Sequence, residues 1–249
     1  MPTTTSADGT AIGYESIGSG PALVLVDGAC CFRAAGPMRP LASALSQHFA
    51  VHTYDRRGRG ESGDTQPYAP AREVEDLQAV IAAAGGAASV YTMSSGGAIG
   101  LAAAAQGAEI RALAVYEPPF GSDSPEYTAE LARLLAAGAH GDAVALFMAK
   151  VGMPPPAIAG FRTTPGFRVL EGIAPTLAYD DAVLREPIDW AAVRVPCTVV
   201  AGGASPEFLQ HAARTTAERI PGAALEVLDG QTHDVDPAVL APLLIKLLS

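Results

Sequence analysis

The stretch with the clearest capacity for chemistry is Ser89-Val90-Tyr91-Thr92-Met93-Ser94-Ser95-Gly96-Gly97. Its first five residues are β-branched and aromatic enough to form a short buried strand. The alanine-rich run that follows, 98–105, favours helix. A serine on a sharp turn between strand and helix is a nucleophile elbow, strained and presented at the sheet edge. Such a turn crowds itself, so the residues two before and two after the serine must be small. With Ser94 at the tip these are Thr92 and Gly96, whereas Ser95 at the tip would put Met93 in the crowded position. Ser94 is therefore the candidate nucleophile. Thr92 stands where the usual pattern has glycine, and the bland alternative is an ordinary tight turn.

A serine hydroxyl is a weak nucleophile near neutrality and needs a base. Of the five histidines, His48 and His52 flank an early strand, and His140 and His211 fall in expected helices. His233 alone lies in a loop just after a strand, in Leu228-Asp229-Gly230-Gln231-Thr232-His233. Strand ends on one edge of a parallel sheet converge, so His233 is the candidate base, against the alternative of a solvated loop histidine.

The elements that must position these residues alternate. Apolar strands are expected at 22–26, 49–54, 89–93, 111–116, 197–201 and 225–228, with an edge strand at 10–16. Helices are expected at 40–48, 72–84, 98–105, 207–219 and 237–248. This order predicts an α/β fold with a mostly parallel sheet and helices on both faces. The stretch 120–187 breaks the alternation. It offers helical runs at 125–136 and 142–151, a proline-rich joint at Pro154-Pro155-Pro156, and no obvious strand. It reads as a helical cap inserted into a core made of 1–119 and 188–249, lying over the carboxyl edge where open α/β sheets bind ligands.

One motif is a decoy. Gly58-Arg59-Gly60-Glu61-Ser62-Gly63 matches a dinucleotide fingerprint by letter, but Pro67 and Pro70 prevent the helix that must follow directly. A structural loop held by Asp55 is the better reading. A formal net charge of −10 argues against a nucleic-acid partner, since no basic surplus is available for phosphates. Cys30, Cys31 and Cys197 cannot make a disulfide framework, and no spacing suggests zinc. No basic-then-apolar leader or membrane-length apolar run is evident, so a cytoplasmic protein without a membrane partner is expected. The sequence does not fix the oligomeric state.

Taken together, Val26-Asp27-Gly28, the run Asp55-Arg56-Arg57-Gly58-Arg59-Gly60-Glu61-Ser62, the elbow at Ser94 and His233 near the end resemble the α/β-hydrolase family. The resemblance covers nearly the whole chain. It implies an eight-stranded sheet, a helical cap between strands six and seven, and a Ser–acid–His triad in that order. By position it implies an oxyanion hole made by the N–H groups of Ser95 and Ala29. Asp27 departs from the histidine usual before the oxyanion glycine. The family most often carries the acid after strand seven, where this chain has Ser205 and then Glu207. Some members carry it after strand six, here Glu117, held by Pro118 and Pro119. Glu117 is preferred because a carboxylate ending an apolar strand needs a partner such as His233, and Glu207 has a complete explanation in the helix start it occupies. Asp229, third by closeness to His233, is expected to serve its turn.

The function so implied is a serine hydrolase acting on an ester, thioester or lactone of a small apolar substrate, without metal or organic cofactor. Asp27, Cys30, Phe32, Phe120, Phe147 and Met153 are candidates for the substrate pocket. For Cys30 and Cys31 the preferred reading is small buried hydrophobes. The competing reading keeps the fold and drops hydrolysis, as in a lyase, cyclase, perhydrolase or small-molecule receptor. Its motive is the pair of departures at Asp27 and Thr92.

Overall fold

The computed structural model describes residues 2–122 and 124–249. Eight strands form one sheet: β1 (Thr3–Thr5), β2 (Ala11–Ile17), β3 (Ala22–Val26), β4 (Ala50–Tyr54), β5 (Ala88–Met93), β6 (Ile110–Tyr116), β7 (Cys197–Gly202) and β8 (Ala224–Leu228). Their spatial order is β1-β2-β4-β3-β5-β6-β7-β8. The first two strands run antiparallel to their neighbours, and every pairing from β4 through β8 is parallel. The carboxyl ends of β3, β5, β6, β7 and β8 therefore share one edge.

Helices cover both faces. Strand residues alternate between two cores because successive side chains point to opposite sides. Val24, Val26, Val90, Leu113, Val115 and Val199 pack towards α2 (Pro70–Ala83) and α3 (Gly96–Ala105). Leu23, Leu25, Tyr91, Met93, Ala114 and Val200 pack towards α1 (Met38–Leu45) and α10 (Pro237–Leu248). The helix between β7 and β8 is α9 (Glu207–Arg219).

Between β6 and β7 lies an all-helical insertion: α4 (Pro125–Ala136), α5 (His140–Lys150), α6 (Pro155–Phe161), α7 (Pro165–Ile173) and α8 (Leu177–Arg185). It has its own apolar cluster, including Leu131, Val144, Ile158, Phe167 and Leu177. Here the expected proline-rich joint is corrected. Pro154 precedes α6, and Pro155 and Pro156 form its first turn. Proline in a first turn loses no intrahelical hydrogen bond and has φ already set for helix. Two further helices, α7 and α8, were not expected from the sequence; α7 also opens on a proline, with Thr164 capping it through Phe167 N–H. Among the described residues no helix is long and apolar enough to cross a membrane.

Candidate active site

Ser94 directly follows β5 and lies in the left-handed region, with φ of 54°. Its N–H donates to the Tyr116 carbonyl at 2.9 Å, which locks the turn to the neighbouring strand. Thr92 is fully buried beneath it. A Cβ placed on Gly100 would lie 2.5 Å from Thr92 Cγ2. The elbow's need for space is thus met from the helix side: α3 carries the glycine that the strand lacks.

Glu117 follows β6 directly, 0% exposed and with φ of 44°. One carboxylate oxygen, Oε1, accepts from the Gly202 N–H at the end of β7 at 2.7 Å. The other, Oε2, lies 2.7 Å from His233 Nδ1. The His233 loop is set by Tyr116, whose hydroxyl donates to the Thr232 carbonyl at 2.5 Å. Loops after β7 and β8 are stitched by Gly203 N–H to Leu228 O and Ala204 N–H to Gln231 O, both 2.8 Å. Glu207 sits exposed in the first turn of α9, and neither it nor Asp229 bonds His233 among the described residues. Ser205 fills the slot after β7, buried and with its hydroxyl unpartnered.

Ser94, Ser95, Ala29 and His233 line one cavity of about 560 Å³ between the sheet edge and the insertion. Among the described residues, neither the Ala29 nor the Ser95 N–H donates to protein. Ser94 Oγ likewise makes no hydrogen bond there; nucleophile–base bonds often tighten only when substrate is bound. A Cβ on Gly28 would come 2.8 Å from Ser94 Cβ, so only glycine lets that loop lie against the elbow. Phe120, Phe147, Leu177, Leu184, Phe208 and Leu209 make much of the lining apolar. Lys150, His211 and Arg219 also line it.

Four of the six residues expected in the pocket do not line the cavity. Asp27 is 3% exposed, and burial raises its carboxyl to about 7 against the pull of Arg59 and Arg56. Cys30, with φ of 60°, packs against the insertion's apolar cluster, as does Met153. Phe32 is engaged in a short backbone bridge to Ala35. Phe120 and Phe147 do line it.

What the sequence did not reveal is a set of buried arginines in the loop after β4. Arg56 pairs with Glu73 and Asp180, Arg57 with Asp76 and Asp8, and Arg59 with Asp180. The loop is indeed held by Asp55, which accepts the N–H groups of Arg33 and Glu61 at 2.7 and 2.9 Å. A signal existed in Arg56-Arg57-Gly58-Arg59 following an apolar strand, but the carboxylate Asp180 lies more than a hundred residues away. No group of three or more potential metal ligands occurs among the described residues.

Comparison with known proteins bears on the fold and the family. A family model described as the alpha/beta hydrolase family matches residues 21–243. The crystal structure of an alpha/beta hydrolase from Sphaerobacter thermophilus is 47% identical, with 99% of each chain covered and a TM-score of 0.90. An enol-lactonase from Burkholderia xenovorans is 25% identical, with 91% of each chain covered and a TM-score of 0.70. A pimeloyl-[acyl-carrier protein] methyl ester esterase from Xanthomonas campestris is 40% identical over 117 residues, 45% of this chain and 44% of that protein. The match thus spans less than half the length of that curated relative.

Proposed function

Because the chain belongs to the alpha/beta hydrolase family, we propose that it is a serine hydrolase cleaving an ester, thioester or lactone of a small, largely apolar acid through an acyl-enzyme. Ser94 Oγ attacks the carbonyl carbon while His233 Nε2 takes its proton. Glu117, bonded to Nδ1, keeps the imidazole in the tautomer that leaves Nε2 free to act as base. The N–H groups of Ala29 and Ser95 receive the developing oxyanion, a role in which one donor is worth ~10²–10³ in rate. Collapse of the tetrahedral intermediate breaks the bond to the leaving group, which takes the proton from His233. Water then enters, His233 activates it, and the acid departs.

The observation carrying this reading is the bond between buried Glu117 and half-buried His233, which lines the same cavity as Ser94. An ester or lactone is favoured by two relatives named for such substrates, the methyl ester esterase and the enol-lactonase. The helical insertion serves as the cap, with Phe120 and Phe147 forming part of an apolar enclosure. The non-hydrolytic alternative loses its motive: Asp27 is outside the cavity, and Thr92 is accommodated by Gly100.

A fluorophosphonate probe followed by peptide mapping, alongside turnover of p-nitrophenyl esters, tests this function. Labelling at Ser94 and loss of both signals in Ser94→Ala are expected. Labelling elsewhere, or undiminished turnover in the alanine variant, would refute the assignment.

A further inference from the structure

The two backbone donors of the proposed oxyanion site are tied to one buried carboxylate, and that carboxylate belongs to the insertion. Asp180 Oδ1 accepts from Ser95 Oγ at 2.7 Å and from Arg56 Nη1 at 2.7 Å. Asp180 Oδ2 accepts from Arg59 Nη2 at 2.6 Å. Arg59, 1% exposed, also donates through Nη1 to the Gly28 carbonyl at 2.7 Å and through Nε to Thr176 Oγ1 at 3.1 Å.

The Gly28 carbonyl matters because it shares a peptide group with the Ala29 N–H. A trans peptide is planar, so its C=O and N–H point in opposite directions. Clamping the oxygen on a guanidinium fixes where the hydrogen points. Gly28 itself lies against Ser94, so this N–H is fixed beside the nucleophile. A cation on the carbonyl oxygen also polarises the amide and makes its N–H a stronger donor. Ser95, which carries the second N–H, is anchored by its hydroxyl to Asp180 and Arg56.

We propose that Arg59 is a positioning residue for the Ala29 oxyanion donor, and that Asp180 couples the insertion to both donors through Arg59 and Ser95. This rests on the serine-hydrolase reading above. It gives the insertion a share in transition-state stabilisation as well as in enclosing the substrate. A purely structural ion-pair network would hold the insertion down but would not act selectively on the transition state.

The test uses the full-length enzyme and one p-nitrophenyl ester, with Arg59→Gln and Arg59→Lys. Lysine can keep an ion pair with Asp180 but lacks the planar fork that reaches Asp180 and Gly28 O together. Each variant is assayed for kcat, KM and inhibition by a trifluoromethyl ketone, whose adduct with serine carries an oxyanion. The expected result is a fall in kcat of at least tenfold, up to ~10²–10³ as for loss of one donor. KM should stay within about threefold, and ketone affinity should weaken in step with kcat/KM. A raised KM with unchanged kcat, or ketone affinity unchanged while kcat/KM falls, would overturn the proposal. If Arg59→Gln fails to fold, the lysine variant decides, and wild-type kcat in it overturns the proposal. Ser94 labelling of the wild type is the control: its failure indicts the hydrolase reading itself, whereas these outcomes with Ser94 labelled bear on Arg59 alone.

Discussion

A glutamate in the left-handed backbone region is costly to keep, by about 1–3 kcal/mol. Among the described residues the three non-glycine positions with positive φ are Cys30, Ser94 and Glu117. They follow β3, β5 and β6, on the edge where the cavity opens. Their clustering is what a strained, functional edge looks like. If Glu117 orients His233, Glu117→Gln should leave a folded protein whose turnover falls by on the order of 10⁴, through the wrong imidazole tautomer. Glu207→Gln should cost less than about tenfold, since its helix-start charge is worth only ~0.3–1 kcal/mol and acts mainly on stability. Assaying both on one ester decides between them. The reverse ranking would move the acid to α9 and leave Glu117 with a structural role only. Ser94 and Glu117 stood out in the sequence because each directly follows an apolar strand, where a polar residue needs a reason, and His233 because it alone of the histidines lies in a loop after a strand. Asp27, Cys30 and Phe32 sit close in sequence to the end of β3, and Met153 just after an expected helical run, but sequence distance does not say which way a side chain turns.

At the scale of elements, β3 to β7 could be read from apolar runs because a strand buried on both faces leaves a continuous hydrophobic signature, whereas β8, at the sheet edge, is largely exposed. The edge strand β1, three threonines long, leaves none. The insertion was legible as helical at α4 and α5 and not beyond. In α6 and α7 the prolines that usually stop helices start them, and α8 buries Asp180 and Asp181 beside Leu177 and Val183, which obscures its apolar face. If the insertion caps the site as proposed, its residues that line the cavity should set specificity. Phe147 on α5 lines the cavity, so Phe147→Ala should widen it without touching Ser94, His233 or Glu117. Across a series of p-nitrophenyl esters of increasing acyl length, the preferred chain should lengthen. Discrimination between neighbours should change by roughly 10–200-fold, the range one methylene can supply in an apolar pocket. An unchanged chain-length profile would place the acyl group elsewhere in the cavity.

Over the whole molecule, two buried carboxyls near the elbow respond to pH in opposite senses. Asp27 is raised by burial from 3.8 to about 7, with Arg59 and Arg56 opposing and Asp55 assisting; Cys31 and Tyr91 lie within its electrostatic reach. The folded state therefore holds this proton where the unfolded chain has lost it. Its stabilisation is full below about pH 4 and is lost as pH rises through about 7. Asp180 is the reverse. Burial alone would raise it, but Arg59, Arg56 and the Ser95 hydroxyl together bring it below 3.8, so its contribution is present above that value and lost on further acidification. Trp190, the single tryptophan, stands where the chain re-enters the core, edge-on to Phe120 at 5.1 Å and beneath Arg219 at 5.5 Å. It reports on the junction between insertion and core. From pH 8 to pH 5 the melting midpoint should rise in the wild type and flatten in Asp27→Asn. The difference should be on the order of 4 kcal/mol at most, or roughly 10 °C for a chain of this size. On acidification below 3.8, as Asp180 loses its charge, the Trp190 fluorescence transition should precede the far-UV circular dichroism transition, although the two coincide near neutrality. Asp180→Asn should bring that separation up to neutral pH. Coincident transitions in the variant would mean that the apolar contacts of α8 with the core hold the insertion without the charge cluster.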